Sequence, residues 1–287
     1  MGLLAGAQSL LTVQNISKKS AHEFFQKINA VKSLKQVRQG LLGFFEPSTR
    51  TRASFESAGL DLGLRWIHVD PGELSLKKGE TLRDTFQVFA AYPFSVCVVR
   101  HSMSGFAAKV AEWTQIPTLN AGDGMHEHPT QALADAYTLW RRFKTKKLKV
   151  ILFGDVFRSR VARSNVILLK ALGHQVAIHD DETAETRSFA SAYNLSLVAR
   201  KNLSRADVVM ALRVQSERGS AAAVEPLGLS DLGLKTCLMH PGPVIVNQDI
   251  QFELLETAGE RSLILDQVRS GYLVRRRLLA EILGVAE

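Results

Sequence analysis

GLLGFFEPSTRTRASFESAGLDLG, residues 40–63, joins an apolar run to a helical pattern through a short polar loop. The run GLLGFFE has the composition of a buried strand. In TRASFESAGLDLG, Ala, Phe, Ala and Leu recur at helical spacing, and Gly63 is a stop signal. The stretch therefore predicts a strand, a loop and a helix in succession, with STRTR (48–52) at the point where the helix begins.

The same alternation of strand and helix continues along the chain. Further predicted strands are 65–70, 94–101, 116–122, 147–155, 174–180, 206–214 and 235–243, and further predicted helices are 80–92, 105–114, 129–143, 158–173 and 273–284. Such alternation is typical of parallel sheets with helices on both faces. Because a basic stretch separates the two halves, we predict an α/β fold of two doubly wound domains with parallel sheets, linked by interdomain helices.

The composition of the 287 residues argues against several classes of protein. With 46% hydrophobic residues and no uninterrupted apolar run of about 18 residues, the sequence predicts no membrane span, and the N-terminus lacks the basic region of a signal peptide. Cys97 and Cys237 lie in apolar runs, which predicts buried free thiols. The net charge is +8, but apart from the clusters 141–149 and 275–277 the basic residues are scattered, and no basic stripe interleaved with aromatic residues stands out. We therefore interpret both clusters as solvated helix faces or linkers rather than nucleic-acid sites.

Polar segments follow the predicted strands at six places. They are EPSTRTR (46–52), RHS (100–102), GDGMHEHPTQ (122–131), GDVFRSR (154–160), RVQSER (213–218) and HPGP (240–243). Loops at the carboxyl ends of parallel strands are where such folds bind ligands. The six loops together are rich in Arg and His, which indicates one converging site.

The segment STRTR favours an anion as the ligand. The first-turn N–H groups of a helix are unpaired, the helix dipole attracts negative charge there, and an Arg guanidinium matches a phosphate. A capped helix with surface arginines is the alternative. The pair His126 and His128 is a weak candidate for a metal site, since no matching acidic or cysteine ligands accompany it. No Gly-rich nucleotide-binding motif is present.

Seven motifs in this order resemble the catalytic chain of the aspartate carbamoyltransferase family. They are FFEPSTRTRASFE, SLKKGETLRDT, VVRH, NAGDGMHEHPTQALAD, GDVFRSRVARSN, LRVQSER and MHPGP, and the resemblance runs from about residue 9 to 284. STRTR and HPTQALAD are shared by aspartate and ornithine carbamoyltransferases. RVQSER and HPGP point to the aspartate enzyme, since an ornithine enzyme is expected to carry HCLP where this chain has His240-Pro241-Gly242-Pro243.

The resemblance implies an enzyme, an aspartate carbamoyltransferase. It would transfer the carbamoyl group of carbamoyl phosphate to the amine of L-aspartate, the second step of de novo pyrimidine biosynthesis, in the cytoplasm and with no cofactor or metal. It also implies a carbamoyl-phosphate-binding domain at 1–132, joined by a C-terminal helix at about 270–287, and an aspartate-binding domain at 133–269. A carbamoyltransferase with another amino acceptor and a non-catalytic homologue are the alternatives.

The family's site residues carry over onto matching positions of this sequence. Carbamoyl phosphate would be held by Ser48, Thr49, Arg50, Thr51, Arg100, His128, Gln131, Pro241, Gly242 and Pro243. Of these, Arg50, Thr51, Arg100, His128 and Gln131 would be catalytic. Aspartate would be held by Lys78, Arg160, Arg213 and Gln215. Arg52 is expected to be structural, pairing with a carboxylate of its own domain.

The resemblance also predicts a homotrimer with shared sites. Ser75 and Lys78 would reach into the site of the neighbouring subunit; a solvated Lys77–Lys78 pair is the alternative. A regulatory chain and a dihydroorotase are partners that the resemblance leaves open, whereas nucleic acid and membrane are not expected. Glu46 is expected to pair with Arg160 or Arg218. One departure is that many relatives continue HPGP with Asn-Arg-Gly, where this chain has VIVNQ (244–248).

Overall fold

A computed structural model describes residues 3–4, 9–72, 79–214 and 224–287. The chain divides into two compact units, one formed by Met1–Tyr137 with Ser270–Glu287 and the other by Thr138–Arg269. The predicted boundary was at 132/133. Both crossings between the units lie inside helices, so no loop composition marks either of them in the sequence.

The first unit contains a four-stranded parallel sheet. Its strands are β1 (Arg38–Phe44), β2 (Leu64–Val69), β3 (Phe94–His101) and β4 (Thr118–Asp123), in the order β2-β1-β3-β4. Its helices are α1 (Lys18–Gln26), α2 (Thr49–Leu62), α3 (Leu82–Ala90), α4 (Phe106–Thr114) and the first part of α5 (Pro129–Phe143). The stretch 40–63 therefore contains most of β1, a loop and α2, as predicted.

Local chemistry fixes the ends of these helices. Gly63 ends α2 in the left-handed conformation at φ 80°, which glycine adopts without steric cost. Thr81 begins α3 with a capping box, in which its hydroxyl accepts from the Asp84 N–H and the Asp84 carboxylate accepts from the Thr81 N–H. Between the sheet and α3 and α4 lies an apolar core that includes Leu41 and the aromatic pair Phe86 and Phe106.

The second unit contains a five-stranded parallel sheet. Its strands are β5 (Lys149–Gly154), β6 (Gln175–His179), β7 (Ser196–Val198), β8 (Val208–Leu212) and β9 (Cys237–Met239), in the order β7-β6-β5-β8-β9. Its helices are α6 (Arg160–Ala171), α7 (Ala184–Tyr193) and α8 (Phe252–Thr257). Phe153, Val209 and Leu238 contribute to its core. Two separate parallel sheets with alternating helices confirm the predicted fold class.

The C-terminal helix α9 (Ile264–Leu283) begins nine residues before the predicted start at 273. Gly271 inside the helix weakens the helical pattern of the sequence, so the pattern does not extend to the first turns. The end of the chain contacts the first unit, where the Arg38 guanidinium donates to the Leu283 carbonyl at 3.0 Å and the Lys32 N–H donates to the Val285 carbonyl at 2.8 Å.

Other predictions had mixed outcomes. Cys97 and Cys237 are free and buried, as predicted, and burial raises the pKa of both thiols. Lys146 in the basic stretch 141–149 is exposed and pairs with Asp207 at 2.7 Å. The sequence pattern does not predict α1, α7, β7 or α8, which are short or weakly apolar. Among the described residues, none of the helices is long and apolar enough to cross a bilayer.

Candidate functional site

The strand order of the first unit places one crevice at the carboxyl ends of β1 and β3. The chain leaves β1 toward β2 on one side and later returns to β3 on the other, which is a topological switch point. Phe44, the last residue of β1, lies opposite Arg100 of β3, and the Phe45 N–H donates to the Arg100 carbonyl at 2.8 Å. The loop that leads to STRTR and the arginine of VVRH therefore meet at this edge.

The N-terminus of α2 is open to an anion. Ser48 is the N-cap residue, and within the described part of the chain its side chain makes no capping hydrogen bond to the helix. The first turn carries no acidic residue. Arg50 is exposed and Thr51 is buried. Because a capped helix was the alternative to anion binding, the uncapped turn favours the anion.

Arg100 lies beside a carboxylate at the same edge. Its Nε is 3.4 Å from Glu46 Oε2, and both side chains are largely buried. The next residue, His101, stacks on Phe106 with ring centroids 4.0 Å apart, and its Nδ1 accepts from the Met103 N–H at 2.8 Å. Burial lowers the pKa of His101, although Glu46 opposes the shift.

Asp123 organises the loop that carries the two histidines. Its buried carboxylate accepts from the Gly105 N–H at 2.7 Å, from Asn120 Nδ2 at 2.9 Å and from the Glu127 N–H at 3.1 Å. His126 Nδ1 is 3.2 Å from the same carboxylate. Within the described ranges, His, Cys, Asp and Glu form no group of three that could hold a metal ion. His126 is thus accounted for as a hydrogen-bonding partner of Asp123.

The helix α5 starts directly after His128, which is buried. The His128 carbonyl accepts from the N–H groups of Gln131 and Ala132 at 3.0 and 3.1 Å, so the first turn of α5 fixes Gln131 relative to His128. The Gln131 side chain bonds to Asp135 and to Arg275, a residue of the basic cluster 275–277 that the sequence does not mark as a site residue.

The second unit repeats this arrangement at its own switch point, between β5 and β8. Gly154 at the end of β5 lies opposite Leu212 at the end of β8. The loop after β5 leads to α6, whose first residue is the buried Arg160, and Ser159 caps that helix by accepting from the Ala162 N–H at 3.1 Å. Arg213 follows β8 directly, so the fold brings the loops of Arg160 and Arg213 to one edge.

A buried His–Asp pair shapes the HPGP loop after β9. His240 Nδ1 accepts from the Gly242 N–H at 2.8 Å, and its Nε2 is 3.4 Å from Asp249 Oδ2. Asp249 also accepts from the Ile245 N–H at 2.8 Å and from the Val214 N–H at 3.4 Å. One carboxylate therefore connects the HPGP loop to the residue after Arg213.

Comparison with known proteins agrees with this geometry. Residues 8–141 match the family model for the carbamoyl-P binding domain of aspartate/ornithine carbamoyltransferases. The aspartate carbamoyltransferase catalytic subunit of Rhizobium etli is 40% identical over 272 residues, covering 90% of this chain and 84% of the relative.

The chain belongs to the aspartate carbamoyltransferase family.

Two solved structures of the family have the same fold. Aspartate transcarbamoylase of Trypanosoma cruzi in complex with N-(phosphonacetyl)-L-aspartic acid is 26% identical, with a TM-score of 0.79 and 94% of each chain covered. The catalytic subunit of the M. jannaschii enzyme is 27% identical, with a TM-score of 0.79 and coverage of 96% of this chain and 98% of that one.

The site residues expected from the family fall into three groups. The first unit holds Ser48, Thr49, Arg50, Thr51, Arg100, His128 and Gln131, and the second holds Arg160, Arg213, Pro241, Gly242 and Pro243. Ser75, Lys78, Gln215 and Arg218 lie outside the described residues. Arg52 is structural, as expected, since its Nε donates to Glu56 at 2.9 Å and its Nη2 lies 3.0 Å from His68 Nδ1.

The segment that replaces Asn-Arg-Gly of many aspartate carbamoyltransferases has a structural role here. Asn247 adopts φ 61°, and its side chain accepts from the Phe252 N–H at 2.9 Å, where α8 begins. Val246 within this segment is half exposed. The segment VIVNQ therefore forms a turn into α8.

Proposed function

We propose that this chain transfers the carbamoyl group of carbamoyl phosphate to the amine of L-aspartate, giving N-carbamoyl-L-aspartate and phosphate. One observation carries the proposal: each sheet has an arginine in the first turn of the helix at its switch point, Arg50 in α2 and Arg160 in α6. Both substrates are anions, and a helix N-terminus and an arginine guanidinium both bind anions. The Trypanosoma cruzi relative binds a ligand that combines a phosphonate with an aspartate moiety.

The phosphate would bind at the N-terminus of α2. The first-turn N–H groups and the hydroxyls of Ser48, Thr49 and Thr51 donate to phosphate oxygens, and Arg50 adds a charged fork. Arg100 enters from β3, one strand away. Because the Ser48 hydroxyl does not cap α2, binding a phosphate costs no helix-capping bond.

The chemical step needs stabilisation of an oxyanion. When the aspartate amine attacks the carbonyl carbon, charge moves to the carbonyl oxygen, and the tetrahedral intermediate collapses by breaking the bond to the phosphate oxygen. Thr51, Arg100 and His128 supply donors for that oxygen. Fixed donors of this kind lower the barrier because they need no reorganisation during the reaction.

The carbamoyl NH₂ group would be oriented by acceptors. These are the side-chain oxygen of Gln131 and the backbone carbonyls of the Pro241-Gly242-Pro243 loop, which the His240–Asp249 pair shapes. Gly242 adopts φ 72° there, a conformation that favours glycine. The acceptors fix the carbamoyl plane toward the incoming amine.

Arg160 and Arg213 would hold the two carboxylates of aspartate, with Lys78 and Gln215 assisting. Guanidinium forks suit a dicarboxylate better than a cationic acceptor such as ornithine. Ser75 and Lys78 would come from the neighbouring subunit, so the active form would be a homotrimer. As a step of de novo pyrimidine biosynthesis, the reaction would take place in the cytoplasm.

A steady-state assay with carbamoyl phosphate and either L-aspartate or L-ornithine tests the proposal. We expect turnover with aspartate that is lost in Arg50→Ala, with exposed Ser57→Ala on the same helix as the control. Turnover with ornithine alone would show another acceptor. No turnover with either, in a chain that folds, would favour a non-catalytic homologue.

A further inference from the structure

The arginine cluster 275–277 on α9 is not the solvated face that its sequence suggested. Arg275 and Arg277 are buried, at 4% and 3% exposure. Arg276 lies 3.1 Å from Asp61, near the surface. Arg277 donates to the backbone carbonyls of Lys27, Ala30 and Glu287 and to the Glu281 carboxylate. Three adjacent residues of one type therefore have three different sets of partners.

Arg275 connects two helices of the proposed carbamoyl-phosphate site. Its Nη1 donates to Ser54 Oγ at 3.0 Å, and its Nη2 donates to Gln131 Oε1 at 3.3 Å. Ser54 lies on α2, one turn after Arg50, and Gln131 lies on α5, one turn after His128. One guanidinium thus connects α2, which would bind the phosphate, to α5, which carries the residue proposed to bind the carbamoyl group.

The pocket around this guanidinium is built to keep it in place. Its carbon lies 5.4 Å from the centroid of the Phe55 ring. Gly271, one turn earlier on α9, leaves the space that the Arg275 guanidinium occupies, because a Cβ at Gly271 would lie 2.7 Å from Nη1. Burial lowers the pKa of Arg275 to about 10, even though the Asp135 carboxylate raises it, so the side chain stays a cation at neutral pH.

The partners of Gln131 decide which way its amide points. A guanidinium can only donate and a carboxylate can only accept. Arg275 therefore requires the amide oxygen on its side, while Asp135 Oδ1 accepts from Gln131 Nε2 at 2.9 Å and requires the nitrogen on the other. The amide oxygen has two lone pairs, of which Arg275 takes one, and the second remains to accept from the NH₂ of a carbamoyl group.

We propose that Arg275 is a positioning residue for carbamoyl phosphate, which fixes the Gln131 amide so that its oxygen accepts from the carbamoyl NH₂. The inference rests on the proposed function, since it gives Gln131 its substrate. It adds a residue from the C-terminal helix to that site, 144 positions away from Gln131 in the sequence.

The test compares two neighbouring buried arginines. Arg275→Met is expected to raise the KM for carbamoyl phosphate by about 10-fold or more, because a misplaced ligand group loses that order of effect. Arg277→Met removes an equally buried arginine that bonds to backbone carbonyls, so it should lower the unfolding temperature without changing that KM. Equal KM values in both variants, or a change that only follows the loss of stability, would overturn the proposal.

A double-mutant cycle separates positioning from general stability. If Arg275 acts through Gln131, Arg275→Met should cost less than about 3-fold in kcat/KM when Gln131 is already Ala. An undiminished cost in the Gln131→Ala background would contradict the inference.

A second variant keeps the arginine and its charge. Gly271→Ala places a Cβ against Nη1 and should displace the guanidinium, again raising the KM for carbamoyl phosphate, so the proposal is tested even if Arg275→Met fails to fold. An unchanged KM in a folded Gly271→Ala chain would count against it.

Calorimetric binding of carbamoyl phosphate, without aspartate, separates the two proposals. Binding by the wild-type chain without turnover would contradict the proposed transfer reaction. The binding affinities of the Arg275 and Gly271 variants would then still test the role of Arg275. Turnover by the wild-type chain, with unaltered binding of carbamoyl phosphate by the Arg275 and Gly271 variants, would contradict only the positioning role of Arg275. A wild-type chain that neither binds nor reacts would overturn both.

Discussion

At the scale of single residues, hydroxyls and guanidinium groups at helix starts carry the proposed chemistry. Thr51 is a buried residue of the first turn of α2, whereas Thr49 and Arg50 on the same turn are exposed. A buried donor acts where water is excluded, which strengthens its interaction with a developing charge. Of the residues in this turn, Thr51 is therefore the one whose substitution should lower kcat most without unfolding the protein.

Thr51→Val removes the hydroxyl and nearly preserves the side-chain volume. We expect kcat to fall by about 10²- to 10³-fold, the range for loss of one oxyanion donor. The unfolding temperature should hardly change, since Val and Thr have similar helix propensities. Steady-state kinetics and thermal denaturation measure the two effects. A kcat within about 3-fold of wild type would remove Thr51 from the oxyanion site.

At the scale of the elements, the carboxyl ends of strands are places where packing tolerates few substitutions. Gly154 ends β5 with φ 101°, and a Cβ there would lie 2.6 Å from the Leu212 carbonyl oxygen of β8. The close approach allows β5 and β8 to pair up to the loops that carry Arg160 and Arg213. A glycine in that position is required by two independent constraints, the dihedral angle and the neighbouring strand.

Gly154→Ala should lower the free energy of unfolding by about 2 to 5 kcal/mol, through left-handed strain and the clash with β8. Gly259→Ala is the matched control: it has φ 52°, but a Cβ there meets no heavy atom within 4 Å among the described residues, so strain alone should cost about 1 to 2 kcal/mol. Urea denaturation compares them, and equal losses would show that the clash relaxes freely.

A second prediction at this scale concerns an ion pair between two turns of the second unit. Arg200 holds Asp231 with Nε and Nη2 at 2.8 and 2.7 Å, and the Gly228 N–H donates to the same carboxylate at 2.8 Å. Burial raises the pKa of Asp231, but these hydrogen bonds outweigh burial and hold its pKa below the usual 3.8. A carboxyl with a lowered folded-state pKa stabilises the protein above its unfolded pKa, and this contribution is lost as pH falls through the folded value.

Asp231→Asn should therefore be less stable than wild type at pH 6 by about 1 to 2 kcal/mol, since Arg200 is one-third exposed. The difference should shrink as pH falls below about 4, where the wild-type carboxylate becomes protonated. Urea denaturation at several pH values measures it. Asp266→Asn, which alters an exposed pair with Arg269, is the control and should show little change at either pH. A pH-independent difference for Asp231→Asn would contradict the assignment.

At the scale of the whole molecule, the proposed trimer with shared sites predicts that two inactive variants recover activity when their subunits mix. If Lys78 serves the neighbouring site and Arg50 its own, Arg50→Ala and Lys78→Ala should each be inactive alone. Equal mixtures that exchange subunits should recover about a quarter of wild-type activity, because random assembly gives one site in four both intact residues. Mixed assays after reversible dissociation measure this recovery.

The mass of the assembly and a second mixture are the controls for this experiment. Size-exclusion chromatography with light scattering should show a trimer, and a mixture of Arg50→Ala with Thr51→Val should recover nothing, since both residues belong to one chain's contribution. A mixture of the Arg50 and Lys78 variants that stays inactive although its subunits exchange would contradict the shared site.

The sequence by itself determined the features that depend on neighbouring residues. The alternation of apolar strands with amphipathic helices gave parallel α/β units, and the run from β1 through STRTR to Gly63 gave a loop, a helix start and a helix stop in their observed places. The seven motifs identified the family. These features are local, since they depend on periodicity, capping and backbone preferences within about 20 residues.

Only the tertiary structure decided the partners of distant polar groups. The pattern RRR at 275–277 looks like a solvated face, yet Arg275 is buried against Gln131 and Ser54, and Arg277 against backbone carbonyls. A buried guanidinium is tolerated only where the fold supplies acceptors, and those lie more than 140 positions away for Arg275. Periodicity reports which residues share a helix face, but the order of strands and the packing of helices decide what that face meets.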